Sequence, residues 1–236
     1  MYSDTLNTID STKNIIENSI NNPSKEKTLS IIELIISGGI GGNIIMGTLM
    51  LLSIYAIYIL IERYSTIKKA SLEDENFLKS IRDFVEQKDI QAAKTLCKNT
   101  DNPISRMIEK GIDRIDKPMT DISAAIENQG KLEVYKMENN LANLATIAGA
   151  APMIGFLGTV IGMIVAFHEM ASAGGNIDVE MLSKGIYTAM VTTVGGLIVG
   201  IIAYIAYNYL VSKIDKVIFQ LEDRTTEFLD LLHHNE

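Results

Sequence analysis

The chain is poor in the residues that most soluble catalytic and metal sites need. One cysteine in 236 residues, Cys97, excludes an internal disulfide and any multi-cysteine metal site. Three histidines, His168, His233 and His234, leave little for a zinc or histidine-based catalytic centre. Basic excess is missing as well. Lys and Arg total 21 against 29 Asp and Glu, a net charge of −8, which argues against nucleic acid as a partner because phosphate binding gathers positive charge. Mean hydropathy is nevertheless +0.17 in a chain that is 21% charged. Both values hold together only when charge and apolarity are segregated.

Three runs lack ionisable side chains altogether: Leu34 to Ile61, Asn139 to Phe167 and Gly185 to Ser212. A helix crosses a bilayer core with about 20 apolar residues, and each run exceeds that, whereas a buried helix of a soluble protein seldom needs more than about 14. The expectation is an all-α, polytopic membrane protein with three transmembrane helices. Residues 1–28 are polar and acidic and lack the order of a cleaved signal peptide. Orientation follows from the basic residues near the span ends. Arg63, Lys68, Lys69, Lys79, Lys131, Lys136, Lys213, Lys216 and Arg224 lie on one side, and only Lys25, Lys27 and Lys184 on the other. This asymmetry predicts a periplasmic N-terminus and a cytoplasmic C-terminus in a bacterial inner membrane.

The resulting map has a periplasmic tail at 1–28 and an interfacial amphipathic helix at 29–39, opened by the capping pattern Ser30–Glu33. Transmembrane helices follow at 40–61, 139–167 and 185–212, with a periplasmic loop at 168–184 and a cytoplasmic C-terminal helix at 213–236. Between the first two spans, 62–138 forms a cytoplasmic helical domain. Its apolar residues recur at helical spacing, as in Ile104, Ile108, Ile112 and Ile115, without strand-like alternation or a glycine-rich phosphate loop. Two spans are expected to extend into this domain. The second would run on from a long cytoplasmic helix, since between Pro118 and Gly149 only Gly130 breaks the run of residues other than glycine and proline. The third would continue along the seam Ile214, Ile218, Leu221, Thr225, Phe228 and Leu232, packed either within the subunit or between subunits. Cys97 sits on an apolar helical face and reads as a buried, inert thiol.

The spans differ in character. The first is aliphatic, with Tyr55, Tyr58 and Tyr64 toward its cytoplasmic end, as expected of a lipid-facing helix with interfacial tyrosines. The second and third carry small residues: Gly155, Gly158 and Gly162 in one, Gly195, Gly196 and Gly200 in the other. Small residues let helix backbones approach closely in lipid, so both spans are expected to line a tightly packed inner ring. Pro152 frees the carbonyl of Ala148, a defect tolerated against protein or water. Pro152, Gly155, Thr159 and Gly162 share one stripe, and Thr188, Thr192 and Gly195 another, with Thr193 turned about 100° away. A single threonine would usually bond back to its own helix. Four of them, Thr159, Thr188, Thr192 and Thr193, beside glycine and proline in adjacent spans, suggest a polar ion path. Yet no carboxylate or histidine lies within the spans, so either the chain is a scaffold or a partner supplies the titratable group.

At these residues the sequence resembles the MotA/TolQ/ExbB family of ion-driven motor subunits, and the ExbB branch best, from about Ile31 to the C-terminus. The resemblance rests on three spans, the Glu62–Arg63 pair closing the first, the long loop that follows, and above all Gly158-Thr159-Val160-x-Gly162 combined with Thr192-Thr193…Gly196-Leu197. It implies a homo-oligomer, a pentameric ring in which the second and third spans line the inside. An ExbD-like single-span dimer with an intramembrane Asp would sit within the ring, and a TonB-like protein would carry energy onward. The family's pore threonines fall on Thr159 and Thr193. Many ExbB members carry a glutamate five residues before the second of these, where this chain has Thr188.

The function so implied is proton-driven, TonB-dependent transport across the outer membrane. TolQ-like or MotA-like motor roles, including sodium-driven ones, and a non-conducting scaffold are the alternatives. An enzyme is the weakest reading, since the spans offer hydroxyls but no Ser/His pair or paired carboxylates. No cofactor and no metal is expected, and besides protein the partners are membrane lipids. His168 and Glu169 lie together at the outer end of the second span.

Overall fold

The structure, a computed structural model, describes residues 39–71, 75–172 and 179–234. The expected tail, the interfacial helix and part of the 168–184 loop lie outside the described residues. Among the described residues the fold is all-helical: α1 (Gly39–Ala70), α2 (Glu75–Glu86), α3 (Ile90–Asn99), α4 (Pro103–Ile112), α5 (Met119–Glu138), α6 (Leu141–Ser172) and α7 (Val179–His234). Among the described residues three helical stretches are long and apolar enough to cross a membrane. They carry α1, α6 and the first half of α7, and the short helices α2 to α5 form a bundle around the second half of α7. At 56 residues, α7 spans about 84 Å at 1.5 Å per residue.

Local signals set the boundaries of the short helices. Asp89 caps α3 by accepting from the Ala92 N–H at 3.0 Å. At α4, Ser105 N–H donates to Asn102 Oδ1 at 2.6 Å, and Pro103 occupies the first turn, where its missing N–H costs nothing. The bundle core holds Ile81, Ile108, Ile126 and Cys97 from the short helices, all buried, against Leu210, Ile214, Val217, Leu221, Phe228 and Leu232 of α7. The seam along α7 is thus largely covered within the chain. Ile218 and Thr225 instead border an open cleft of about 830 Å³ beside α5. Burial, with Glu109 and Asp113 nearby, pushes the Cys97 thiol up to about 12, so it stays protonated at neutral pH.

The expected unbroken run into the second span is corrected by the structure. Helices α5 and α6 are separate, divided at Asn139–Asn140, with Asn140 in the left-handed region at φ 64°. Asparagine tolerates that conformation better than most residues. The break turns the Lys136 carbonyl away from its regular partner four residues on, and Arg63 takes over, its Nη1 donating to that oxygen at 2.8 Å. Arg63 is buried and also pairs with Glu62. The charged pair ending the first apolar run therefore clamps the elbow between α5 and α6.

Along α1, Ile44, Met50, Leu51, Ile54 and Ile61 are exposed, as a lipid-facing surface requires. Its opposite face buries Ile45, Leu49, Ala56 and Ile59. Tyr55 accepts from Asn143 Nδ2 of α6 at 3.2 Å, and Tyr64 stacks on Tyr209 of α7 with ring centroids 6.3 Å apart.

Candidate ion pathway between α6 and α7

The closest helix pair is α6 with α7, and small residues make the approach possible. A Cβ on Gly155 would lie 2.8 Å from the Thr192 carbonyl oxygen and 3.0 Å from the Gly196 Cα. One on Gly196 would lie 2.5 Å from the Ala151 carbonyl oxygen. Further along, Gly162 meets Ala189, and Gly200 meets the Pro152 ring. Pro152 leaves α6 continuous, and its ring with the Ala148 carbonyl fills the space that a side chain at Gly200 would need. Small-residue faces such as these need protein rather than lipid opposite them. They are satisfied within one chain, because α6 and α7 pack on each other.

The four threonines separate into distinct environments. Thr192 is buried, with Oγ1 donating to the Ala189 carbonyl at 2.7 Å and lying against Gly158. Thr188 is half-buried and faces Gly42 of α1, and Gly195 also turns toward α1, beside Met46. The expected stripe Thr188–Thr192–Gly195 is therefore divided, because α7 is held by α6 on one side and by α1 on another. Thr192 serves the helix contact, and neither Thr188 nor Gly195 opens onto the α6–α7 groove.

Thr159 and Thr193 meet, with their hydroxyl oxygens 3.1 Å apart and both side chains half-exposed. Thr159 Oγ1 also lies 2.6 Å from the Phe156 carbonyl, and Thr193 Oγ1 lies 3.1 Å from the Gly155 carbonyl. Two hydroxyl protons thus face three possible bonds. When both point at backbone carbonyls, the oxygens present free lone pairs and can accept from a protonated acid. When one swings outward, the pair donates to an anion, and the abandoned carbonyl keeps its helix bond. Spacing along the two helices places the pair beside exposed Phe156, Met190 and Leu197, an apolar setting in which a hydrogen bond to charge is strong.

A second polar cluster lies on the bundle side of the elbow, and the sequence reading missed it. Glu133 is buried at 2% exposure. Arg106 grips it with two bonds, Nε–Oε1 3.0 Å and Nη2–Oε2 2.8 Å, while Lys136 and Gln129 each donate to Oε1 at 2.8 Å. Burial raises the Glu133 pKa, but the hydrogen bonds and charges of Arg106 and Lys136 outweigh it and hold the carboxyl below its ordinary range. One signal was available: Glu133 follows Ile122, Ile126 and Gly130 and precedes Met137 on a single helical face, an acid on an apolar stripe.

Apolar helices of membrane-crossing length, joined along a small-residue seam that carries paired hydroxyls, define a polytopic membrane protein. Comparison with known proteins agrees. A profile of the MotA/TolQ/ExbB proton channel family matches residues 99–223, and the chain belongs to that family. It is 28% identical over 194 residues to an ExbB homolog of Methanothermobacter thermautotrophicus, covering 82% of this chain and 67% of the relative. It is 40% identical over 79 residues to the biopolymer transport protein ExbB of Helicobacter pylori, covering 34% of this chain and 54% of that one. The Tol-Pal system protein TolQ of Haemophilus influenzae matches at 34% over 101 residues, 43% of this chain and 44% of TolQ.

Proposed function

We propose that the chain is the ring-forming subunit of an ExbB-like, ion-driven motor of the bacterial inner membrane. Several copies, five by the family resemblance, surround an ExbD-like single-span dimer whose intramembrane Asp carries the proton, and a TonB-like protein passes the energy to outer-membrane transport. Residues 62–138 and 213–236 then lie in the cytoplasm and the N-terminus outside. The observation that carries this reading is the Thr159–Thr193 hydroxyl pair, set in apolar runs that contain no acid or base of their own. Hydroxyls cannot store a proton near neutral pH, but they can bond both forms of a carboxylic acid that passes them. The pair thus supplies the half of a relay that a moving, partner-borne Asp completes.

The test is Thr159→Val and Thr193→Val, which keep the shape and remove the hydroxyl. Losing a hydrogen bond to a charged group costs about 1.5–3 kcal/mol, roughly one to two decades in rate when the loss falls on the transition state. Ion-gradient-dependent uptake in cells should fall by that factor at normal expression and assembly. Wild-type uptake by both variants makes the threonines packing residues and the chain a scaffold. The TolQ relative favours an envelope-maintenance role as the second reading. Identifying the single-span protein that co-purifies with the chain separates the two.

A further inference from the structure

Away from the threonine pair, the C-terminal end of α1 and the middle of α7 enclose a cleft of about 190 Å³ with an unusual charge. Lys68, Lys213 and Lys216 line it together with the Ser71 hydroxyl, and no acidic side chain does so. Among the described residues none of the three lysines has a carboxylate partner, in contrast to Lys131, Lys136 and Arg106, which are all ion-paired. Lys213 Nζ lies 5.5 Å from the centroid of the Tyr209 ring. The floor is apolar, formed by buried Ile67 and Leu210. Among the described residues, three lysines thus line an apolar base with no carboxylate beside them.

Their depth is fixed by the sequence. The charge-free runs end at Ile61 and Ser212. Lys213 follows at once, and Lys68 stands seven residues, about 10 Å, beyond Ile61, within reach of the headgroup layer for a long, flexible side chain. The stacked Tyr64 and Tyr209 sit one turn closer to the apolar zone, at the level where interfacial tyrosines gather. Beyond them, Ile57 and Ile61 of α1 and Ile202 and Ile205 of α7 continue the same stripes and are exposed. An occupant that satisfies every part of this surface carries a phosphate at one end and hydrocarbon at the other.

The geometry points to a binding site for the headgroup of an anionic phospholipid in the cleft between α1 and α7, with Lys68, Lys213 and Lys216 on its phosphate and its chains along the isoleucine stripes. The site is separate from the threonine pair and does not depend on the motor reading. Anionic lipid bound there neutralises the lysines and ties the outer helix α1 to α7.

The test is equilibrium binding of fluorescent phosphatidylglycerol to the full chain in detergent, with unlabelled competitors. Phosphatidylglycerol should compete at least tenfold better than phosphatidylcholine of the same chains, and glycerol 3-phosphate should compete poorly. Lys213→Gln should weaken binding about fivefold and the triple Lys68→Gln, Lys213→Gln, Lys216→Gln variant about a hundredfold, from the usual contribution of a lysine at an anionic surface. Lys213→Arg should bind nearly as wild type, and Lys110→Gln, an exposed lysine on α4, should change nothing. Equal competition by the two lipids overturns the proposal, as does a helical, folded triple variant with wild-type affinity. Displacement by glycerol 3-phosphate as readily as by lipid makes the cleft a free-phosphate site instead. Should the triple variant not fold, the competitor order in the wild type and the single Lys216→Gln variant decide.

Discussion

Gly155 and Gly196 show how little room a side chain has between α6 and α7. Gly196→Ala places a methyl 2.5 Å from a backbone carbonyl oxygen that cannot rotate away, whereas nothing lies within 4 Å of a Cβ at Gly149 on the same helix pair. Overpacking of this kind costs about 1–3 kcal/mol, while alanine in an open helical position gains up to about 1 kcal/mol over glycine. Thermal unfolding in detergent should therefore show Gly196→Ala clearly destabilised and Gly149→Ala unchanged or slightly stabilised. Equal effects would mean that the two helices are not held at this distance. Glu133 gives a second test at the same scale. Its native pKa is lowered from the ordinary 4.5, so its stabilisation is fully present above that value and is lost as pH falls through the lower native pKa. Glu133→Gln should lower stability at neutral pH by about 1.5–3 kcal/mol, the scale of a charged hydrogen bond. The gap to wild type should close in acid, and a gap independent of pH would show that the carboxylate charge is not what Arg106 and Lys136 hold. Of the site itself, the sequence made the seam glycines, Pro152 and the meeting threonines legible, because small and hydroxyl residues stand out in apolar spans. Thr193 was set apart from Thr188 and Thr192 by its stripe, but the parting of Thr188 toward α1 from Thr192 against α6 was not legible. A helical wheel describes one helix, and α7 has two neighbours.

At the scale of elements, the elbow at Asn139–Asn140 joins a bundle helix to a membrane helix. Its rigidity comes from outside, through Arg63 on the Lys136 carbonyl. Arg63→Met keeps the apolar stem and removes the donors, leaving the partly buried Lys136 carbonyl unpaired at a cost of up to about 1–3 kcal/mol. Amide exchange at residues 139–141 should speed up in this variant while the α4 core, around Ile108, keeps its protection. Unchanged exchange at the elbow would mean that the clamp does not restrain it. The three long helices were legible from charge-free length alone. The elbow was not, since two asparagines in a helical pattern differ little from solvent-facing polar residues until a distant arginine claims the freed carbonyl.

For the whole molecule, the basic-residue asymmetry predicts that cysteines introduced at Ser71 and Thr226 resist a membrane-impermeant thiol reagent in intact cells. One at Ser11 should react once the outer membrane is permeabilised, and the reverse pattern overturns the orientation. Cys97, buried and with its thiol pushed up to about 12, should stay silent throughout. Native mass spectrometry should show a homo-oligomer; a clean monomer removes the ring, since the glycine seams no longer demand one. The continuity of α7 sets the mechanical character of such an assembly. Thr193 and Phe228 lie on one uninterrupted helix, about 53 Å apart. A tilt of about 5° at the threonine, carried by a rigid rod of that length, sweeps the phenylalanine sideways by about 4.6 Å, nearly the radius of a helix. Beside it, the α5–α6 path runs through a joint. In the proposed ring, α7 would act as a stiff lever beside a path braced at Asn139–Asn140, and a small rocking in the membrane would be geared up into a displacement of the bundle large enough to repack its neighbours.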